Sequence, residues 1–221
     1  MKPADPLASV YNAFFTYLLK NLYSQRLGDK VFYDFLIVQN MPYRATMNIL
    51  RNKNSIWFDN NPAEGKKNDI IRNSLHDAIE FLKTKFTNQD INTWNWGEIH
   101  KVKFRHPLGI VPAFDKIFNI GPFDVGGDQT TINNSEYSFN EVIKNGDFMN
   151  ILGPSMRIIV NMEDPEHSLS VNTTGESGQP LNPNYQDQAR LWQFGEYKNN
   201  TMSEFEMINN EYKLLTLLPG N

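Results

Sequence analysis

The sequence predicts an α+β fold, in which a helical first third is followed by short strands and ordered loops. Two observations support this class. Apolar residues recur at helical spacing up to about residue 86, and beyond it glycine, proline, asparagine and aspartate punctuate short apolar runs. An order in which helices come first and strands follow is typical of an α+β domain. We therefore divide the chain into a mainly helical segment, 1–86, and a strand and loop segment, 87–221, both within one domain.

Four helical patterns lie in the first segment. One begins after "ADP", where Leu7, Phe14 and Leu18 fall at helical spacing. A second, more buried helix is predicted in "DKVFYDFLIVQNM", ending near Pro42, and a third is indicated in "YRATMNILRN". After an irregular joint, "NKNSIWFDNNPAEGKK", the clearest helix is "NDIIRNSLHDAIEFLKTKF". Its predicted apolar face consists of Ile71, Leu75, Ile79 and Leu82.

The second segment holds few strands. The best candidates are "TTINNSEYSF", "SMRIIVNM" and "HSLSVNT", and "YQDQARLW" is predicted as one short helix. Ser203 and Glu206 have the spacing of a capping box at the start of the last element, a helix or a strand. So few strands cannot close a sheet and would leave exposed edges. The chain is therefore expected to belong to a larger structure.

Composition limits the classes of function. The formal net charge is -4 and the basic residues are scattered, so nothing points to nucleic acid as a partner. The absence of cysteine excludes disulfides, thiolate metal sites and a cysteine nucleophile. No apolar run reaches the roughly 18 residues of a membrane span, and the first residues lack a signal-peptide pattern. We expect no membrane partner and no cofactor, and localisation stays open.

The histidines form no recognisable metal or catalytic pattern. No two of the four are spaced i, i+4, which is the spacing of a helical metal pair. His100 and His106 lie six residues apart on a run predicted to be extended, and we interpret both as hydrogen-bonded structural residues. A new enzyme that uses these two histidines together with Glu136 is the less favoured alternative.

The stretch "GPFDVGGDQTTIN" contains the pair Gly126 and Gly127 but not the spacing of a phosphate-binding loop. We interpret the pair as a tight turn that enters a strand. Asp124 and Asp128 lack the surrounding pattern of a calcium-binding loop. Glu136 falls in the predicted strand, where it would support a catalytic group if the strand is buried and would otherwise be an exposed strand residue.

The segment "GESGQPLNPNYQDQARLWQFGEY" combines loop residues with an Asp-Gln pair and a tryptophan. Because buried polar groups of a loop need partners, Asp187 and Gln188 are expected to bind the backbone amides of this loop. The segment is predicted to be a fixed cover over a sheet edge or over a neighbouring subunit. On this view the change Asp187→Ala lowers stability and leaves no specific kinetic signature.

Five motifs, taken in order, resemble one protein family. Each is weak alone, but the ordered set is specific and spans the chain from the first helix to about Tyr197. The motifs are W-x-W-G-x-x-H, H-P-L-G, G-P-F-x-V-G-G-D, G-P-S-x-R and G-x-S-G-x-P-x-N-x-x-Y-x-D-Q. They resemble the C-terminal part of the β subunit of penicillin acylases, the penicillin amidase family of N-terminal-nucleophile hydrolases. Motif residues expected to be structural are Trp96, His100, Gly126, Gly127, Asp187 and Gln188.

The resemblance implies a linear-amide hydrolase with a four-layer αββα sandwich and a place in antibiotic metabolism. In that family a precursor cuts itself, the new N-terminal serine attacks the amide, and its own α-amino group acts as base. These residues lie in the earlier part of the family's β subunit. None of the chain's glycines is followed by Ser, Thr or Cys, so the family's usual cut is not encoded here. No catalytic position carries over, save Glu136 as a possible supporting residue.

Two hypotheses follow from the resemblance. In the first, the chain is a C-terminal fragment of such an amidohydrolase, inactive alone, whose partners are the α subunit and the N-terminal part of the β subunit. The complete enzyme would then act on a small-molecule amide. In the second, it is a stand-alone, non-catalytic binding or assembly module derived from the same fold. Family members are often periplasmic or extracellular, but nothing in this chain decides its localisation.

Overall fold

The computed structural model describes residues 1–52, 55–58, 64–209 and 218. It is a mixture of helices and small sheets, consistent with the predicted α+β class. The chain forms two compact units, Met1–Pro154 and Ser155–Asn221. Within the described residues, none of the helices combines the length and apolarity needed to cross a membrane. The division at residue 86 and the αββα sandwich stay predictions.

Among the described residues of the first unit, the three long helices lie on predicted helical patterns and the three short ones were not predicted. They are α1 (Pro6–Phe35), α2 (Asn40–Arg51), α3 (Glu64–Lys85), α4 (Trp96–Ile99), α5 (Asp115–Phe118) and α6 (Phe139–Asn145). Helix α1 begins where Asp5 accepts a hydrogen bond from the Leu7 amide at 3.0 Å. It kinks at Gly28, whose φ of 67° interrupts the helical backbone at the boundary between the first two predicted helices.

Two helix predictions need correction. The second predicted helix ends at Phe35, seven residues before Pro42, and Pro42 instead lies in the first turn of α2. A proline is tolerated there because its missing amide donor would have had no partner within the helix. In α3 the buried face is rotated from the predicted one, since Ser74 and Ala78 are buried while Leu75 is 44% exposed.

The core of the first unit lies between α1 and α3 and is rich in aromatic rings. Leu18, Leu19 and Tyr23 of α1 and Ala78 and Leu82 of α3 are buried in it. Aromatic side chains from the loops and short elements after α3 complete this core: Trp94, Trp96, Tyr137, Phe139 and Phe148. A core of this size supports folding of the first unit, because burying each large apolar side chain contributes about 1.5–3 kcal/mol.

Within the described residues, seven short strands form three small antiparallel sheets. The strands are β1 (Lys101–Phe104), β2 (Ile120–Asp124), β3 (Glu136–Tyr137), β4 (Asn150–Leu152), β5 (Arg157–Ile159), β6 (Leu169–Val171) and β7 (Lys198–Asn199). In the first unit β1 pairs with β2, and β3 pairs with β4. In the second unit the order is β5-β6-β7. The predicted strand "TTINNSEYSF" shrinks to Glu136–Tyr137, and strands β2, β4 and β7 were not predicted.

The second unit contains the two other strands that the sequence predicted. Strand β5 lies in "SMRIIVNM" and β6 in "HSLSVNT", with the register Arg157↔Val171, Ile158↔Ser170 and Ile159↔Leu169. Helices α7 (Ala189–Phe194) and α8 (Glu204–Asn209) follow. The Glu206 amide donates to the Ser203 hydroxyl at 3.5 Å, as the capping box predicts. The end of the last predicted element falls on residues 210–217, which lie outside the described residues.

Candidate functional site

The motif W-x-W-G-x-x-H lies at the centre of the first unit's core. Both indole rings are fully buried, and each N–H has a backbone partner. The indole N–H of Trp94 donates to the Asn88 carbonyl at 2.7 Å, and that of Trp96 donates to the Gly127 carbonyl at 2.9 Å. Since buried polar groups need partners, these bonds fix both rings. The Trp96 bond also ties this motif to the Gly-Gly turn.

His100 is held on both of its ring nitrogens. Nδ1 lies 2.6 Å from the Phe148 carbonyl, which can only accept, so Nδ1 carries the proton. Nε2 lies 2.8 Å from the Ser135 hydroxyl and therefore accepts from it in the neutral ring. The imidazole also stacks on Trp96, with 4.5 Å between ring centroids. Neither nitrogen is left to bind a metal or to transfer a proton in this arrangement.

Burial lowers the pKa of His100 to about 4, against the smaller opposing effect of its hydrogen bond to the Phe148 carbonyl. The ring is therefore neutral at pH 7. His106 lies in a different setting, where its ring nitrogen accepts from the Leu108 amide at 3.1 Å and the ring stacks on Phe118. The extended run expected to join the two histidines is limited to the four residues of β1, with a short helical turn beginning at Pro107.

The pair Gly126 and Gly127 lies between strands β2 and β3, and β3 is what remains of the strand that the turn was predicted to enter. Gly127 has a φ of 85°, and a β-carbon there would collide with the Asn133 carbonyl oxygen. The next residue, Asp128, is fully buried and accepts from the Thr130 amide at 2.7 Å and the Thr130 hydroxyl at 2.8 Å. Its Oδ2 has no hydrogen-bond partner among the described residues. The turn therefore places a carboxylate inside the core.

Asp128 belongs to a buried polar group that the sequence analysis missed. The Tyr137 hydroxyl donates to the side-chain oxygen of Asn12 at 3.0 Å, and burial raises the pKa of Tyr137. Burial also raises the pKa of Tyr11 to about 12, with smaller contributions from Tyr43 and Asp128. A usable signal existed in Asn12, a polar residue inside the apolar pattern of α1. No sequence signal links it to Tyr137, which is 125 residues away.

Glu136 lies in β3 opposite Leu152, next to the buried Tyr137. Because side chains alternate along a strand, its carboxylate faces away from the core that holds the Tyr137 ring. The carboxylate is half-buried and accepts from the Asn134 side chain at 3.2 Å. A supporting catalytic role for Glu136 stays a prediction.

In the second unit, the segment 175–197 is held chiefly by Gln188. The Gln188 side chain is 3% exposed, accepts from the Asn172 amide at 2.9 Å and donates to Glu176 at 3.1 Å. Its backbone amide donates to the Thr174 carbonyl at 2.8 Å. Asp187 is exposed, and its carboxylate lies 3.5 Å from the Lys198 ammonium. The two residues that the sequence analysis treated as a pair therefore have different surroundings.

The same segment ends with α7, which contacts strand β5 through Trp192. Trp192 of α7 is buried, and the Arg157 guanidinium donates to its carbonyl at 2.7 Å and lies over its ring. Just after the segment, β7 pairs with β6 through Ser170↔Lys198. That the segment is a cover over a sheet edge or over a neighbouring subunit stays a prediction.

No group of three or more His, Asp or Glu side chains in the described part of the chain is placed to hold a metal ion. The centre of the first unit consists of buried rings and the hydrogen bonds that hold them, with Asp128 also buried after the Gly-Gly turn. The Ser135 hydroxyl is paired with Nε2 of His100, but Ser135 is 2% exposed and His100 is fully buried, so this serine is not open to a substrate. The arrangement therefore has the character of a rigid framework.

Comparison with known proteins identifies what this framework is similar to. The sequence model of the family described as "Penicillin amidase" matches residues 1–208. An acyl-homoserine lactone acylase QuiP of Pseudomonas fluorescens (strain Pf0-1) is 28% identical over 228 residues, covering 100% of this chain and 26% of that protein. The protein of the same name from Pseudomonas aeruginosa is 28% identical over 211 residues, covering 86% of this chain and 24% of its own length.

A third relative bears the name penicillin acylase 2 proenzyme and comes from Pseudomonas sp. (strain SE83). It is 29% identical over 105 residues, which cover 47% of this chain and 13% of that protein. The chain therefore spans about a quarter, or less, of the length of the curated relatives it matches.

Proposed function

The chain belongs to the penicillin amidase family, and we propose that it is the C-terminal, framework part of an amidohydrolase whose nucleophile lies outside it. In this proposal an N-terminal serine of the preceding part of the β subunit attacks the carbonyl of a linear amide, with its own α-amino group as base. The present chain supplies the packed framework beside that catalytic part and is inactive alone.

The observation that supports this assignment most directly is that residues of the family motifs are buried and hydrogen-bonded in the core. Trp96 and His100 of one motif and Gly127 of another meet in one buried cluster, where their polar atoms bind one another, the Phe148 carbonyl and the Ser135 hydroxyl. A histidine engaged on both nitrogens and lowered in pKa by burial is suited to structure rather than to proton transfer at pH 7. Buried motif residues with satisfied hydrogen bonds fix the fold, which is the role of a framework.

The names of the relatives support a proposal for the substrate class. The relatives that align over most of this chain are named as acyl-homoserine lactone acylases, and the one named as a penicillin acylase aligns over less than half of it. We infer that the complete enzyme removes an acyl group from an amide nitrogen. N-acyl-homoserine lactone is the first substrate to test and penicillin is the second.

The test is reconstitution. The chain is produced alone, and also together with the polypeptide encoded directly upstream of Met1, and each preparation is incubated with N-acyl-homoserine lactone and with penicillin. Release of a primary amine is followed with an amine-reactive fluorophore. We expect no turnover from the chain alone and turnover from the pair, lost when the serine nucleophile of the upstream part is changed to alanine. Turnover by the chain alone would overturn the proposal.

The second candidate is a stand-alone binding or assembly module, and the enclosed core of the first unit favours it. A module of this kind would be monomeric, would unfold cooperatively and would gain no activity from the upstream polypeptide. An inactive pair together with a cooperatively folded monomer would therefore replace the amidohydrolase proposal with this one.

A further inference from the structure

Strand β5 presents an unusually apolar edge in the second unit. It has one hydrogen-bonded neighbour, β6, among the described strands, so its other edge has no strand beside it there. The apolar side chains along this edge are each at least 50% exposed: Met156, Ile158, Ile159, Val160 and Met162. We call residues 156–162 the β5 edge. Contiguous exposed apolar surface of this kind marks an interaction site more often than a free surface.

Nothing in the β5 edge protects it from pairing. Exposed edges are normally guarded by lysine, proline, an inward-pointing charge or a bulge. The sequence "MRIIVNM" contains no lysine or proline, and the register with β6 runs through three successive pairs without a shift. Its one charged residue, Arg157, is engaged with Trp192: the guanidinium donates to the Trp192 carbonyl and lies over its ring.

The opposite edge of the same sheet shows the usual protection. Strand β7 is two residues long, Lys198 and Asn199, and both are exposed and polar. A lysine on a short edge strand discourages the addition of another strand. The sheet therefore has one closed edge and one edge whose backbone and side chains both suit a further strand.

We propose that the β5 edge is the site where a β-strand from the remaining part of the enzyme, absent from this chain, adds to the sheet. This inference rests on the proposed function. Its basis is the length of the relatives, three quarters of which lies beyond the region that this chain matches. The partner segment is extended and carries apolar residues at alternate positions, facing Met156, Ile158 and Val160.

A second copy of this chain is a less suitable partner for the β5 edge. Two β5 edges in antiparallel contact would share only a few residues on each side. Stable protein interfaces bury roughly 1,200–2,000 Å² in total, with about 20–30 residues on each side, and a contact of this length falls well short. A large preceding polypeptide can combine the strand pairing with other contacts, so it satisfies the size requirement that self-pairing does not.

The experiment compares two edge variants in the reconstituted pair. Ile158→Lys places a charge on the β5 edge, and Asn199→Lys places the same charge on the β7 edge as its matched control. Binding of each chain to the polypeptide encoded upstream of Met1 is measured by titration, and amide hydrogen exchange of residues 156–160 is measured with and without that polypeptide. We expect at least tenfold weaker binding for Ile158→Lys, unchanged binding for Asn199→Lys, and at least tenfold slower exchange of the β5 amides on binding.

Each other outcome has a separate meaning. A complex that forms equally well with Ile158→Lys, without protection of β5, overturns the edge assignment and leaves the proposed function standing. Absence of any complex, with no amidase activity from the pair, overturns the proposed function. Self-association of the wild-type chain that Ile158→Lys abolishes would assign the edge to a second copy and overturn the inference. Unfolding midpoints of the isolated variants check that each retains its fold, which the exposure of both sites leads us to expect.

Discussion

Strands β1 and β5 are of similar length, yet the chain surrounds them differently. In β1 the apolar Val102 is 4% exposed, and the lysines on either side of it form ion pairs with Asp124 and Asp115. In β5 two successive isoleucines, Ile158 and Ile159, are each about half exposed. Apolar and charged residues alternate along β1, and each of these side chains has its packing or ion-pair partner within the first unit. The continuous apolar run of β5 has the pattern of a strand covered on both faces, and the described residues do not supply that cover.

This difference indicates that the two units were shaped by different requirements. The first unit encloses its tryptophans and His100 and gives each ring nitrogen a partner, so its stability depends on contacts inside the chain. Among its described residues, the second unit has two buried polar side chains, Ser168 and Gln188, and an apolar strand edge without a neighbouring strand. The comparison predicts a large loss of stability for substitutions at Trp96 and His100. Substitutions at Gln188 and Asp187 should cause smaller losses, and Asp187 the smallest.

The largest expected effect is that of Trp96→Ala. The ring is fully buried and contacts His100, Tyr137 and Phe148, so its removal leaves a cavity that costs about 3–5 kcal/mol of the free energy of unfolding. Trp96→Phe, as the control, keeps most of the ring but leaves the Gly127 carbonyl unpaired, and should cost about 1–3 kcal/mol. Urea unfolding gives both values. A loss below about 1 kcal/mol for the alanine variant would contradict the described cluster.

The next effect is the pH dependence that His100 introduces. An unfolded histidine takes up a proton below its ordinary pKa of about 6.5, while the folded ring stays neutral down to about 4. The unfolded state therefore binds the extra proton within this window, and stability falls as the pH falls from about 6.5 to about 4. Between pH 7 and pH 5 the contribution of His100 is a loss of roughly 2 kcal/mol.

The control for that prediction is His100→Gln, whose amide can donate and accept but does not titrate. This variant should start from lower stability at pH 7, because it loses the stacking on Trp96. Its stability should then decline less between pH 7 and pH 5 than that of the wild type. Equal slopes in the two proteins would show that His100 is not the neutral, enclosed ring described above.

The sequence predicted the first unit's long helices better than its strands, for a physical reason. Helices α1 and α3 have local apolar periodicity over several turns, and Gly28 marked the boundary within α1. Strands β2, β4 and β7 have two to five residues, too few for an alternating pattern to emerge. Leu75 was wrongly placed on the buried face of α3. Apolar spacing locates that face only approximately, and packing against α1 determines which of its residues are buried.

The candidate site was predictable in its motifs and not in its contacts. The residues of W-x-W-G-x-x-H were singled out together, but the partners of His100 come from Ser135 and Phe148, which lie 35 and 48 residues away. Asp128 was considered only as a calcium ligand, since its burial depends on the fold around the turn. Asp187 and Gln188 were treated alike because adjacent polar residues look equivalent until burial separates them.

Gln188→Ala should reduce the stability of the second unit by about 1–2 kcal/mol. The change leaves the amide of the half-buried Asn172 without its acceptor and removes the bond to Glu176. Hydrogen exchange is the suitable measurement, because it reports the second unit separately. Amides of β6 and α7 should exchange about tenfold faster, while those of α1 and α3 are unchanged. Acceleration of both units together would mean that they unfold as one.

The smallest effect is expected from Asp187→Ala, at the position next to Gln188. Its carboxylate is exposed and lies 3.5 Å from the Lys198 ammonium, and exposed ion pairs of this kind contribute at most about 1 kcal/mol. The exchange rates of β6 and α7 should therefore change less than in Gln188→Ala, and the remaining difference should shrink in high salt, since salt screens surface charges. If Asp187→Ala accelerated exchange in β6 and α7 as much as Gln188→Ala does, the two residues would contribute equally to stability, as the sequence predicted. Because Asp187 lies 3.5 Å from β7, this result would also make the closed edge of the sheet, and not only the buried Gln188, a determinant of the second unit's stability.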